Sequence, residues 1–141
     1  LSDALSYAVD KGIKKIIDIA TLTGAISIAL GNEYTGLFGN DQEFINEFKN
    51  SAKQTGEKFW QLPVDQNYSK QYKDSIADIE NIGGSAAGSI TGAMIIGEFA
   101  GDTSWIHLDI ASTITSPKDK GYNPKGPTAL SVRTILNLLK N

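Results

Sequence analysis

Cysteine is absent from the 141 residues, and histidine occurs once, at His107. The first absence excludes disulfides, thiolate metal sites and cysteine nucleophiles. The two together exclude an ordinary zinc site, which draws several ligands from His and Cys. A large excess of either charge is also missing. The formal net charge of -3 gives no reason to expect nucleic acid or an anionic membrane as a partner. No apolar run is long enough to cross a bilayer. The opening residues, Leu1-Ser2-Asp3-Ala4-Leu5, have neither the basic start nor the apolar stretch of a signal peptide. A G-x-S-x-G turn is missing too, which opposes a serine hydrolase. There is no internal repeat and no low-complexity segment. The lack of cysteine suits a reducing cytoplasm, the expected location. The chain has no starting Met and opens in what already reads as a helix, the expectation for a piece of something longer.

What is present is enough for one domain with a core, and too short for two. Leu1, Leu5 and Ala8 share a helical face that Lys11-Gly12 closes, and the β-branched run 13–20 predicts a buried strand. Residues 21–24 form a tight exit loop, 25–30 a small-residue helix, and 34–38 a second strand. Asn40 followed by Glu43 suggests a capping box. Phe44, Ile45, Phe48 and Ala52 then give an amphipathic stripe that Gly56 ends. Residues 58–62 read as a strand halted by Pro63, 68–74 as a helix, and 76–82 as an extended segment. Residues 83–88 form a glycine-rich loop before a buried helix over 89–99, and 105–110 a strand. The loop 112–127, with three prolines and two glycines, has a length that often goes with function. A last helix over 128–139 should turn Val132, Ile135, Leu136 and Leu139 inward. Strands alternating with helices predict a three-layer α/β fold, a mostly parallel sheet flanked by helices.

Four features carry candidate chemistry, each with a plainer reading beside it. His107 and Asp109 share a strand face and so form a possible His–carboxylate pair. A structural His107 is favoured, because a functional site needs several convergent groups. The loop 83–88 ahead of a helix offers free N–H groups to a phosphate. It lacks the Gly-Lys-Ser/Thr of a P-loop, and close packing of a small-residue helix explains the glycines equally well. Asp18 and Asp109 lie in apolar strands and need partners if buried. As a pair they would suit metal or acid–base work, but no spacing places them together, and structural roles are favoured. Thr21-Leu22-Thr23-Gly24 stands past a strand's C-terminal end, where α/β proteins bind ligands. It reads equally as a plain strand–helix connection.

Taken in order, short blocks along the chain resemble one family. They begin with Asp18-Ile19-Ala20-Thr21-Leu22-Thr23-Gly24-Ala25, Ala29-Leu30-Gly31-Asn32, Tyr34-Thr35-Gly36-Leu37-Phe38 and Gly56-Glu57-Lys58. Trp60-Gln61-Leu62-Pro63, Ala77-Asp78-Ile79, Asn81-Ile82-Gly83-Gly84, Ala87-Gly88-Ser89-Ile90-Thr91 and His107-Leu108-Asp109-Ile110-Ala111 come next. Over nearly its whole length the chain resembles the C-terminal part of the catalytic domain of the leucine aminopeptidase (cytosol aminopeptidase) family. The resemblance implies residues 1–141 as a fragment of a zinc-peptidase-like catalytic domain. It implies a parent that releases N-terminal residues, leucine-like ones preferred, from peptides.

In that family two divalent cations (zinc, manganese or magnesium) activate a bridging water and polarise the scissile carbonyl. Metal ligands and a bicarbonate-holding arginine sit in an Asn-Thr-Asp-Ala-Glu-Gly-Arg-Leu motif. The start of this chain resembles the stretch immediately after that motif, and the other ligands and a catalytic lysine lie earlier still. The resemblance therefore assigns no catalytic and no metal-binding residue here, and the isolated chain is expected to be inactive and to bind no cofactor. It does assign substrate-side positions. Thr21 and Gly24 match main-chain contacts to the peptide. Leu22 matches a backbone position near bicarbonate and the first pocket. Ile82 matches a wall of the pocket beyond the scissile bond, and Ala111 a wall of the pocket for the N-terminal side chain. Peptide substrates and a homohexamer are the implied partners, with no nucleic acid and no membrane. Ser112, Ser85 and Ala129 depart from the family, the last where glycine is common. The alternative is a non-catalytic assembly or binding module derived from the family.

Overall fold

The computed structural model describes residues 1–73 and 76–140. Helix α1 (Ser2–Asp10) buries Leu5 and ends at Lys11. Strand β1 (Lys15–Ala20) starts two residues later than the sequence suggested. The Ile13 N–H is still bonded to the Ala8 carbonyl, so the helix terminus occupies it. Helix α2 (Ala25–Leu30), strand β2 (Thr35–Gly39), helix α3 (Gln42–Thr55) and strand β3 (Phe59–Gln61) come next. Helix α4 (Gly88–Gly97), strand β4 (Ser104–Asp109), the two-residue strands β5 (Thr115–Ser116) and β6 (Gly126–Pro127), and helix α5 (Val132–Leu138) complete the chain.

The main sheet has the order β1-β4-β2-β3. β1 runs parallel to β4 and β3 parallel to β2, while β2 and β4 are antiparallel. Two of the three pairings are thus parallel, as the α/β reading required. Alternation along the strands sorts side chains onto two faces. Trp105 and Phe38 look toward α4, where Leu5 of α1 and Ile26 of α2 complete the packing. Leu37, Ile106 and Leu108 look the other way, onto Phe44, Ile45 and Phe48 of α3 and onto Ile135 and Leu138 of α5. The predicted α3 stripe is buried in full. Each of its large side chains contributes about 1.5–3 kcal/mol by leaving water. Gly56 ends α3 with a φ of 73°, a left-handed turn that glycine takes without strain.

The cap of α3 is Asp41, not Asn40. Its carboxylate accepts from the Glu43 and Phe44 N–H groups. Asn40 is drawn to the start of β4 instead: its amide donates to the Gly101 and Thr103 carbonyls, and its oxygen accepts from the Trp105 N–H. The Ser104 hydroxyl, followed by the Phe44 N–H, holds the Asp41 carboxyl below its usual range. Its contribution is present above the unfolded-state pKa and is lost as pH falls through the lowered folded-state value.

The helix expected over 68–74 is a 3-10 turn, Gln66–Gln71, with Asp65 accepting from the Asn67 N–H. Asp74, its expected end, lies outside the described residues. Among the described residues the segment 76–82 joins no ladder.

The last helix differs most. It begins at Val132 because Ala129 and Ser131 stand in the left-handed region, at φ 50° and 83°. Of the four side chains expected inward, only Ile135 packs on the core, joined by Leu138. Val132, Leu136 and Leu139 are half or more exposed. A polar seam sets the rotation. Thr134 is fully buried, and its hydroxyl meets Glu57 Oε2 at 2.6 Å and Thr55 Oγ1 at 2.9 Å. Ser51 donates to the Thr134 carbonyl and accepts from Asn137.

The conformation of Ala129 suits the glycine expected there. The left-handed region costs an L-residue about 1–2 kcal/mol, and glycine returns part of that gain as backbone entropy. Ala129→Gly should raise the unfolding free energy by up to about 1 kcal/mol, read as a higher urea midpoint at unchanged slope.

Candidate functional site

Strands β1 and β4 are parallel and in register, so their C-terminal ends, Ala20 and Asp109, lie side by side. The Ile110 N–H bonds to the Ala20 carbonyl and carries the pairing one step further. Two segments leave the sheet from this end: residues 21–24, which lead into α2, and residues 110–112. This is the position at which open α/β sheets offer exposed main chain to ligands.

Beside it opens a cleft of about 600 Å³, walled by Leu22, Thr23 and Gly24 on one side and by Asn81, Ile82 and Gly83 on another. Thr91, Gly92, Ile95 and Ile96 of α4 form its floor. Three of the expected positions, Leu22, Gly24 and Ile82, therefore meet in one cavity. Ile82 is 72% exposed, a large apolar side chain left open to an incoming group. Thr21 and Ala111 are not in that lining. Thr21 is exposed at the start of the loop, and Ala111 packs against the core formed by Ile26, Phe38 and Tyr72.

Sequence reasoning named Thr23 only within the 21–24 loop, with no role of its own, and missed Gly92. A Cβ on Gly92 would come within 2.8 Å of the Thr23 methyl group, so this glycine lets α4 approach the loop. The signal was present as the small residues of 83–92, whose packing reading explains Gly92.

The two aspartates have separate tasks. Asp18 is buried beneath α4 and pairs across β1 and β4 with His107, whose Nδ1 meets Asp18 Oδ1. The other Asp18 oxygen accepts from Trp105 Nε1 at 2.6 Å. The His107–Asp109 pair that a shared strand face allowed is not formed, and the buried, structural His107 that was favoured over it is paired with Asp18. Strand register sets Asp18 opposite His107 and Ala20 opposite Asp109, so the cross-strand carboxylate reaches the imidazole and the one on its own strand turns to the exit loop. A carboxylate only accepts, so Nδ1 carries the proton. Among the described residues Nε2 of His107 meets no hydrogen-bond partner. Asp109 is fully buried. Its oxygens accept from the Leu22 N–H at 3.1 Å, the Thr23 N–H at 3.2 Å, the Thr23 hydroxyl at 2.7 Å and the Ala111 N–H at 3.2 Å.

Among the described residues no group of three or more His, Cys, Asp and Glu side chains is placed to hold a metal ion. The nearest candidates, Asp18 and Asp109, have their oxygens engaged by indole, imidazole, hydroxyl and amide donors. The long loop 112–127 is built around the β5–β6 hairpin. It borders a second, charged cleft with Lys58, Lys120 and Arg133. Those cations are already matched there, Lys58 and Lys120 by Glu33 and Arg133 by Glu57.

Residues 1–136 match the sequence profile of the cytosol aminopeptidase family, catalytic domain. A probable cytosol aminopeptidase of Alkaliphilus metalliredigens (strain QYMF) is 45% identical over 141 residues, covering 100% of this chain and 28% of that protein. One from Solibacter usitatus (strain Ellin6076) is 46% identical over 138 residues, 98% of this chain and 29% of the relative. The chain thus spans under a third of the length of the curated relatives it matches. Among solved structures, a mutant of tomato leucine aminopeptidase superposes with a TM-score of 0.91 at 37% identity, covering 99% of this chain and 27% of the other.

Proposed function

Since the chain belongs to the cytosol aminopeptidase family, we propose that it forms the substrate-side wall of a two-metal aminopeptidase whose metal-binding residues lie outside it. The observation that carries this reading is the convergence of Leu22, Gly24 and Ile82 in one cleft at the C-terminal end of β1 and β4. In this reading the main chain of 21–24 hydrogen-bonds a peptide backbone, and Ile82 covers the residue beyond the scissile bond. Ala111, on the adjoining exit, borders the pocket for the N-terminal side chain. Apolar walls suit leucine-like residues, although one methylene more or less is worth only about 1–3 kcal/mol of discrimination.

The described residues do not fit the family's pair of divalent cations, zinc, manganese or magnesium, because they bring no three donors together. Cations, bicarbonate and the water-activating chemistry are therefore proposed to belong to residues upstream of Leu1. This chain would supply binding and orientation, and would be inactive alone. A homohexamer in the cytoplasm completes the proposal. No helix among the described residues is long and apolar enough to cross a membrane.

The test compares metal-dependent hydrolysis of a leucine anilide and a leucyl dipeptide by the full gene product and by the 141-residue chain. The expected result is cleavage by the first and none by the second. Cleavage by the chain alone would put the ligand set within it and overturn the division of labour. An inert gene product would favour the assembly module.

A further inference from the structure

Asp109 is a buried group that touches both segments leaving the sheet. Its carboxylate takes two backbone N–H groups and a hydroxyl from Leu22 and Thr23, and a further N–H from Ala111. The Thr23 hydroxyl passes the constraint onward by accepting from the Ile26 N–H, an orphan donor in the first turn of α2. The Thr23 methyl lies against Gly92, so the side chain is held from both sides, methyl toward α4 and hydroxyl toward Asp109. Thr21 and Gly24, both exposed, flank this pinned dipeptide. Their main-chain directions are set by it.

We propose that Asp109 is a positioning residue for peptide binding, acting through Thr23: it fixes the 21–24 main chain and the Ala111 wall at one spacing. The proposal rests on the reading of the cleft given above. Its physical basis is that a carboxylate with four donors has no second arrangement of equal energy, whereas a free strand–helix connection has several. A displacement of about 1 Å in a substrate-holding element costs on the order of a hundredfold in rate.

The experiment uses the full gene product and a leucyl dipeptide series. Thr23→Val keeps the shape against Gly92 and deletes the hydroxyl. Thr23→Ser deletes the methyl and keeps the hydroxyl. Asp109→Asn presents an amide donor to the Thr23 N–H. With positioning, Thr23→Val raises KM about tenfold with a smaller change in kcat, Thr23→Ser recovers most of that loss, and Asp109→Asn lowers kcat/KM by roughly a hundredfold. Should Asp109→Asn fail to fold, the Val and Ser pair decides alone. Wild-type KM in Thr23→Val, even at a lowered melting temperature, would show that the contact serves stability only and would overturn the proposal. The reverse order, with Ser impaired and Val not, would show packing against Gly92 and overturn it too. A wild-type gene product that cleaves no leucyl substrate would overturn the cleft reading first, and this proposal with it.

Discussion

Replacing Asp18 by alanine is expected to destabilise the fold by about 3–5 kcal/mol, among the larger losses a single side chain produces. Asp18 is the acceptor for two donors that cannot reach water. Trp105 is 1% exposed and His107 is 0% exposed, and both spend their ring N–H groups on this carboxylate. Truncation leaves two buried donors unpaired at about 1–3 kcal/mol each, and a void beside them. For a chain of this length the melting temperature should fall by on the order of ten degrees. Asp18→Asn should lose less, because its amide keeps one acceptor oxygen. Urea unfolding followed by tryptophan fluorescence in a Trp60→Phe background, where Trp105 is the reporter, measures both, and a loss under about 1 kcal/mol for the alanine variant would mean that the network is replaced by water.

Glu57→Ala is expected to cost about 2–4 kcal/mol, with the damage concentrated in α5. This buried carboxylate stands where a helix cap would, although it comes from the far side of the chain. It accepts from the Ser131 N–H at 3.2 Å, the Thr134 N–H at 2.9 Å and the Thr134 hydroxyl, and Arg133 approaches it at 3.3 Å. Without it the first turn of α5 has orphaned N–H groups and a negative partner for its dipole is lost. Hydrogen exchange provides the readout. Amides of α5 should lose protection by more than those of β4, since α5 is the element that Glu57 caps. Uniform loss across both would instead mark Glu57 as part of one cooperative core.

The positions of these two acids explain which parts of the molecule were legible in its sequence. Periodicity found the α3 stripe and the small-residue helix α2, because the side chains that repeat are the ones that pack. It also found β1 and β4 as apolar strands, and hence the sheet. It misjudged the face of α5, where a buried threonine held by Glu57, Thr55 and Ser51 outweighs Val132, Leu136 and Leu139. A polar contact made between segments so far apart along the chain leaves no local repeat. The His107 partner was missed for a similar reason. Spacing two along a strand puts Asp109 on the same face, but only register reveals that Asp18 stands directly across. At the cleft, the loop 21–24 was recognisable both as a strand exit and as a family motif. Thr23 was read only as one residue of that loop, with no role of its own, because its role depends on Asp109 and Gly92, which meet it only in the fold.

The most direct test of the proposed role is the place at which a peptide sits. A crystal structure of the full gene product with a non-hydrolysable leucyl-peptide analogue is expected to show the peptide main chain bonded along residues 21–24, with the group beyond the scissile position against Ile82. An analogue bound elsewhere, with the cleft between Leu22 and Ile82 empty, would contradict a substrate-side role for this chain.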